Sequence, residues 1–358
     1  MNEEVAKLIR DELLSQNNKP INYDFDLVDH LKTYTDKELS RSIYTSLYQK
    51  MGIDTIINTD IGKTKTDKIN YILDNLETIV KYYLEIIPEH VFLQYKKLLN
   101  MNGEACIDLS RELVFSISFM LAIKSSIFGK VYYKDDAATI YIHEDIKNIM
   151  TKFIKEKEVI KENKFNNKIY SFVKNLTYTY GILTDEEAYM MFTKCNNSKI
   201  DDDKFTKIIY GYQFVEDDFV IHNTDEEMLI CNMEFYEKED ALDFYNNLSS
   251  KLNDKLTLND INSIGDVTYF HKFKPYKELV KFIEKNFEFT KSDIKNIDEF
   301  LIDDFILTSQ ISIDKAVSNY RKNIKDQFDL DYMEEEIILN YLKEIYQKMP
   351  KWSKRGNV

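Results

Sequence analysis

The chain has 358 residues, 44% apolar and 13% aromatic, which is enough for two or three packed domains and excludes general disorder. Its formal charge of −14 opposes nucleic-acid phosphates at long range and suits a basic protein partner. Eight glycines and four prolines are too few for propellers, sandwiches or dinucleotide-binding turns, so the composition predicts a mainly α protein with small β-hairpins.

The N-terminal region, 1–87, reads as a helical domain. Val5, Leu8, Ile9 and Leu13 recur at helical spacing over 2–16, and the opening MNEEVAKLIRDELL carries acids where a secretion signal needs bases. Thr35 and Glu38 form a capping-box pattern at the head of a helix through Leu39, Ile43 and Leu47 to Met51, which Gly52 closes. A second helix, Ile69–Val80, follows a Lys/Thr-rich entry. The residues Asp36-Lys37-Glu38-Leu39, Met51-Gly52-Ile53 and Lys65-Thr66-Asp67-Lys68-Ile69 together resemble the Rho N-terminal or SAP-like unit, over 35–80. That resemblance implies a small nucleic-acid or protein-docking module. Gly62-Lys63-Thr64 is not a phosphate loop, because Ile57 stands where the motif needs glycine.

Residues 88–155 read as a first winged-helix-like module. A helix from Pro88 to Leu99 leads to the Asn102-Gly103 turn, then to an apolar helix expected from Ile107 to Phe128. Strands Lys130–Lys134 and Thr139–His143 flank Asp135-Asp136. The apolar run Val114–Ile123 ends at Lys124 and is too short to cross a bilayer. The stretch 151–168 alternates lysine with glutamate and reads as a solvated helix or linker, with a domain boundary at 155–166.

Residues 166–270 read as a second winged-helix-like module. Thr184 and Glu187 form another capping box, ahead of a helix with Ala188, Met191 and Phe192 on its apolar face. Asp201 or Asp202 caps a further helix with Phe205, Ile208 and Ile209. Tyr212, Phe214, Phe219 and Ile221 are expected in two strands around the acidic turn Glu216-Asp217-Asp218. A wing that binds nucleic acid carries Lys or Arg at its tip, so both acidic turns point away from DNA, to protein contact or a plain structural role.

Residues 271–358 read as a C-terminal helical domain: 311–328 and 333–349 are amphipathic, and Pro350 ends the last helix. The helices over Phe300–Ile324, with the segment Tyr341–Gly356 and its Trp352-x-x-x-Gly356 ending, resemble a group of proteins from low-GC Gram-positive bacteria and their mobile elements. In that group this segment precedes a small Cys/His zinc tail of SEC-C type. No zinc ligand follows Gly356 here, so no metal function carries over.

No catalytic constellation stands out. His30, His90, His143, His222 and His271 include no i,i+4 pair and no HExxH, and Cys106, Cys195 and Cys231 include no CxxC. Cysteines so placed suit a reducing cytoplasm. The segment Asn196–Asp203 lacks the alternating acids, central glycine and closing glutamate of a calcium loop. The sequence therefore predicts a non-catalytic, cofactor-free, cytoplasmic binding protein that docks on another protein, as a regulator or as a phage or mobile-element inhibitor of a basic nucleic-acid-binding target. Candidate contacts are Tyr132, Tyr133, Asp135, Asp136, Phe214, Glu216, Asp217, Asp218 and Trp352, with Tyr132, Tyr133, Phe214 and Trp352 expected at the surface. The alternative is a winged-helix nucleic-acid-binding transcriptional regulator with Lys63, Lys65, Lys68, Lys152, Lys155, Lys161 and Lys164 on phosphates.

Overall fold

The computed structural model of the chain describes residues 21, 23–50, 64–108, 117–124, 126–134, 137–213, 215, 218–224, 227–248, 250–287, 297–327 and 332–358. In chain order the elements are α1 (Leu27–Lys32), α2 (Asp36–Lys50), α3 (Lys65–Ile86), α4 (Glu89–Asn100), β1 (Glu104–Asp108), α5 (Ile117–Lys124), β2 (Lys130–Lys134), β3 (Ala137–Tyr141), α6 (Glu144–Phe153) and α7 (Lys157–Tyr180). There follow β4 (Ile182–Thr184), α8 (Asp185–Asn196), α9 (Asp202–Tyr212), β5 (Phe219–Asn223), β6 (Met228–Asn232), α10 (Lys238–Asn246), α11 (Leu258–Gly265), α12 (Lys274–Asn286), α13 (Asp304–Ile311), α14 (Ile313–Gln327) and α15 (Tyr332–Lys348). The protein is mainly helical, and its strands form small three-stranded antiparallel sheets. Among the described residues no helix is long and apolar enough to cross a membrane.

The chain divides into two compact units, one of Met1–Tyr170 with Asp201–Glu216, the other of Ser171–Ile200 with Asp217–Val358. In the first unit, α2 packs on α3 and α9. The cap expected at the head of α2 forms: the Thr35 amide donates to Glu38 Oε2 at 2.6 Å, and the Glu38 amide donates to Thr35 Oγ1 at 3.2 Å. The core gathers Leu31, Ile43, Ile72, Val80, Leu98, Ile123 and Ile140 around two aromatic contacts. Tyr83 stacks on Phe128 with ring centroids 3.9 Å apart, and Tyr95 meets Phe119 edge-on at 5.0 Å.

The sheet of this unit runs β1-β3-β2. The expected helix from Ile107 does not start there: Ile107 lies in β1, opposite Ala138. Ala105 and Ile107 are buried while Cys106 is exposed, an alternation of period two that only a strand satisfies. Asn102 and Gly103, with φ of 64° and 77°, turn the chain into β1. The β2–β3 hairpin forms as expected, with Val131 opposite Ile140.

In the second unit the sheet runs β4-β6-β5, with Ile182 and Val220 flanking Cys231. The expected hairpin around Glu216-Asp217-Asp218 is replaced by one that pairs β5 with β6, whose turn is closed by the Thr224 amide donating to Glu227 O at 2.9 Å. Tyr212 remains helical, because the α9 phase already buries Phe205, Ile208, Ile209 and Tyr212 together. The Thr184 and Glu187 capping box forms, with both reciprocal bonds at 3.1 Å. A second core in this unit gathers Leu279, Ile283, Phe305, Leu339, Leu342 and Ile345 from the C-terminal helices.

Candidate interaction surfaces

The two sheets share a strand order but differ in the described helices between their strands, one in the first and two in the second. The first follows α4, β1, α5, β2, β3; the second follows α7, β4, α8, α9, β5, β6. In each, the first strand lies beside the third. In α5, Phe119, Met120 and Ile123 are fully buried in the core. In α9, the exposed N-terminus opens on Asp201, Asp202 and Asp203, and Asp201 caps it by accepting from the Lys204 amide at 3.3 Å.

The lysine-rich stretch resolves into three settings. Lys152 closes α6 and pairs with Glu77 at 3.5 Å, and Lys155 is exposed in the turn that follows. Lys161 and Lys164 lie on α7 together with Lys157 and Lys168, and all four are exposed. The buried side of α7 is held by three asparagines. Asn163 Nδ2 donates to Leu84 O and Ile87 O, both at 2.8 Å. Asn166 Nδ2 donates to Glu85 O at 3.0 Å, and Asn167 Nδ2 to Ile87 O at 2.9 Å. These amides satisfy the carbonyls at the end of α3 that have no partner within the helix. From Lys157 on, the stretch is a helix with a solvated lysine face and a buried face fixed to α3.

The other predicted lysines are committed locally. Lys68 is buried and paired with Asp36 at 2.5 Å, and Lys65 Nζ donates to Lys32 O at 2.7 Å. Neither fits the expected phosphate contact. Lys63, Asp135, Asp136, Phe214, Glu216 and Asp217 lie outside the described residues. Asp218 pairs with Lys174 at 2.9 Å.

Two aromatics expected at the surface are inside. Tyr133 is 6% exposed on the inward face of β2, while its neighbour Tyr132 is half-buried. Trp352 is fully buried against Ile182, Leu229, Cys231 and Phe235. Its indole Nε1 donates to Tyr178 O at 2.9 Å, and its backbone amide donates to Gln310 Oε1 at 3.1 Å. Gly181, at φ 76°, leaves room for the ring: a Cβ there would stand 2.7 Å from it. Gly356, at φ 80°, packs as closely on Tyr180, and Arg355 pairs with Glu187 of the α8 cap. The Trp352–Gly356 segment is a structural lock.

The histidines divide by setting. His30 and His143 face each other with ring centroids 4.8 Å apart. Tyr34 donates its hydroxyl proton to Gly129 O at 2.7 Å, which leaves its oxygen to accept from His30 Nε2 at 3.2 Å. His143 Nδ1 accepts from the Asp145 amide at 3.3 Å, so its proton sits on Nε2, 3.1 Å from Phe25 O. Each ring thus donates from its Nε2. Burial first, then the neighbouring His143 and Lys130, lowers the His30 pKa to about 3. His222 is buried and bonded to Phe235 O at 2.8 Å.

One polar group escaped the sequence reading because its members lie far apart in the chain. His271 Nε2 stands 2.9 Å from Asp298 Oδ2, Tyr276 donates to the same oxygen at 3.1 Å, and the two rings stack at 4.5 Å. A carboxylate so placed orients an imidazole. Among the described residues no serine or cysteine side chain bonds to that ring. Burial raises the Cys231 thiol to about 12, which keeps it inert at neutral pH. Among the described residues no group of three His, Cys, Asp or Glu side chains could hold a metal ion. Comparison with protein-family models, with curated proteins and with solved structures found no match for this chain.

Proposed function

We propose that the chain is a non-catalytic binding protein that docks on another protein, as a regulator or an inhibitor. The strand order shared by both sheets, and the element order around the second, support winged-helix-like modules. A winged helix that reads DNA sets the N-terminal residues of its recognition helix against base edges. The observation that carries the proposal is the acidic start of α9. It presents Asp201, Asp202 and Asp203 where phosphates and bases would lie. With a net charge of −14, the modules favour a basic protein surface over a nucleic-acid groove. A phage or mobile-element inhibitor that covers such a groove is one form of this function. Met233 and Tyr236, 37% and 65% exposed, offer apolar anchors beside the exposed Glu234, Glu237, Glu239, Asp240 and Asp243.

The test is affinity capture with the tagged full chain from a bacterial lysate, with and without nuclease, repeated with Tyr236→Ala/Glu237→Lys. The expected result is one stoichiometric basic protein that survives nuclease and is depleted at least tenfold by the double substitution, an effect of about 1.4 kcal/mol. Recovery of nucleic acid alone, with every protein lost on nuclease treatment, overturns the proposal.

A further inference from the structure

We infer that the exposed lysine row of α7 is a contact surface for the phosphate backbone of a single nucleic-acid strand, independent of the protein-docking function. From Lys157 to Tyr170 the exposed positions are Lys157, Lys161, Lys164 and Lys168, with Glu158 the exposed acid beside them. At 3.6 residues per turn the four lysines fall within about 60° of arc and extend about 16 Å along the helix axis. Among the described residues none of the four forms an ion pair, whereas the nearby Glu162 is engaged by Lys204 at 2.9 Å. The row is also rigidly presented. Asn163 and Asn166 lie on the far side of the same helix and fasten it to the end of α3, so the lysine stems share one fixed backbone.

The chemistry of this face selects among anions. An anionic membrane surface is bound by cationic helices that also insert apolar side chains, and an acidic protein is held through aromatic or aliphatic anchors. The exposed positions of this face include no apolar residue. What remains is a narrow line of ammonium groups, suited to a linear polyanion held by charge alone. The row is bounded by Glu158 on one flank, and a duplex lying across it would bring a second line of phosphates toward that acid. A single strand can follow the row without doing so.

The experiment titrates the full chain into a fluorescein-labelled oligothymidylate and reads fluorescence polarisation across a salt series. Four phosphate contacts on a single strand give a slope of log K against log salt of about −3, a loss of about 50-fold between about 50 and about 200 mM salt. Lys161→Gln/Lys164→Gln removes two of the four contacts at exposed positions and should halve that slope, with an unchanged circular dichroism spectrum. Absence of binding at about 50 mM salt, or a double variant with the wild-type slope, overturns the inference. So does stronger binding to phosphatidylserine vesicles or to polyglutamate than to the oligonucleotide. Because the variant leaves Tyr236 intact, protein capture should persist in it, which separates the two surfaces.

Discussion

The facing histidines make the first unit sensitive to acid in a way that can be worked through. His30 is 4% exposed, its Nε2 proton is committed to Tyr34, and its pKa is lowered from 6.5 to about 3. Protonating it would place a charge beside His143, 4.8 Å away, and near the Lys130 ammonium, itself over the Tyr34 ring. A base whose folded pKa is depressed binds its proton mainly in the unfolded chain. Its stability contribution is therefore present above pH 6.5 and is lost as pH falls from 6.5 toward 3. Linkage gives a loss of about 2 kcal/mol at pH 5 and about 3 kcal/mol at pH 4. In His30→Gln the amide can still donate to Tyr34 but does not titrate. Urea unfolding followed by circular dichroism should show the variant somewhat less stable than wild type at about pH 7.5. It should be level with or more stable than wild type near pH 5, so that the difference between them moves by about 2 kcal/mol. Comparing the two chains cancels the carboxylates that titrate in both. A difference that stays constant within about 0.5 kcal/mol across this range would refute the argument.

Three further outcomes follow from buried groups. Glu85, 7% exposed at the end of α3, has its pKa raised to about 7, chiefly by burial; its contribution is lost as pH rises from 4.5 toward 7, so Glu85→Gln should gain about 3 kcal/mol at pH 8 and only about 1 kcal/mol at pH 5, by urea midpoint. Gly181→Ala forces a left-handed φ on a side chain that would stand 2.7 Å from the Trp352 ring; a loss of about 3 kcal/mol and a red-shifted emission of this single tryptophan are expected, and an unshifted spectrum at native stability would count against the lock. Asn163→Asp places a carboxylate against Leu84 O and Ile87 O, and Asn163→Ala simply removes their donor; each should cost about 2 kcal/mol or more, with Asp the worse at pH 8 and partly recovered in acid, whereas equal effects at all pH would contradict the asparagine assignment.

What could be read from the sequence was local chemistry, and what could not was pairing at a distance. The Thr35 and Thr184 caps join residues three apart, and the β2–β3 hairpin joins strands by a short turn, so each is written in a few consecutive letters. By contrast β4 has three residues, and nothing marks Ile182 as a strand until Cys231 lies opposite it. The composition of the 151–168 stretch equally suits a linker. Its meaning depends on helical phase, which sends Asn163 and Asn166 inward to α3 and leaves Lys161 and Lys164 outside. Trp352 stands among charged and small residues, the surroundings of an exposed aromatic, yet its seat comes from Gly181, Ile182 and Phe235. His271 finds Asp298 only when the chain has folded back past α12. The same limit governs function. Acidic composition indicated a basic partner, but only the folded chain sets Asp201–Asp203 together at the exposed start of α9.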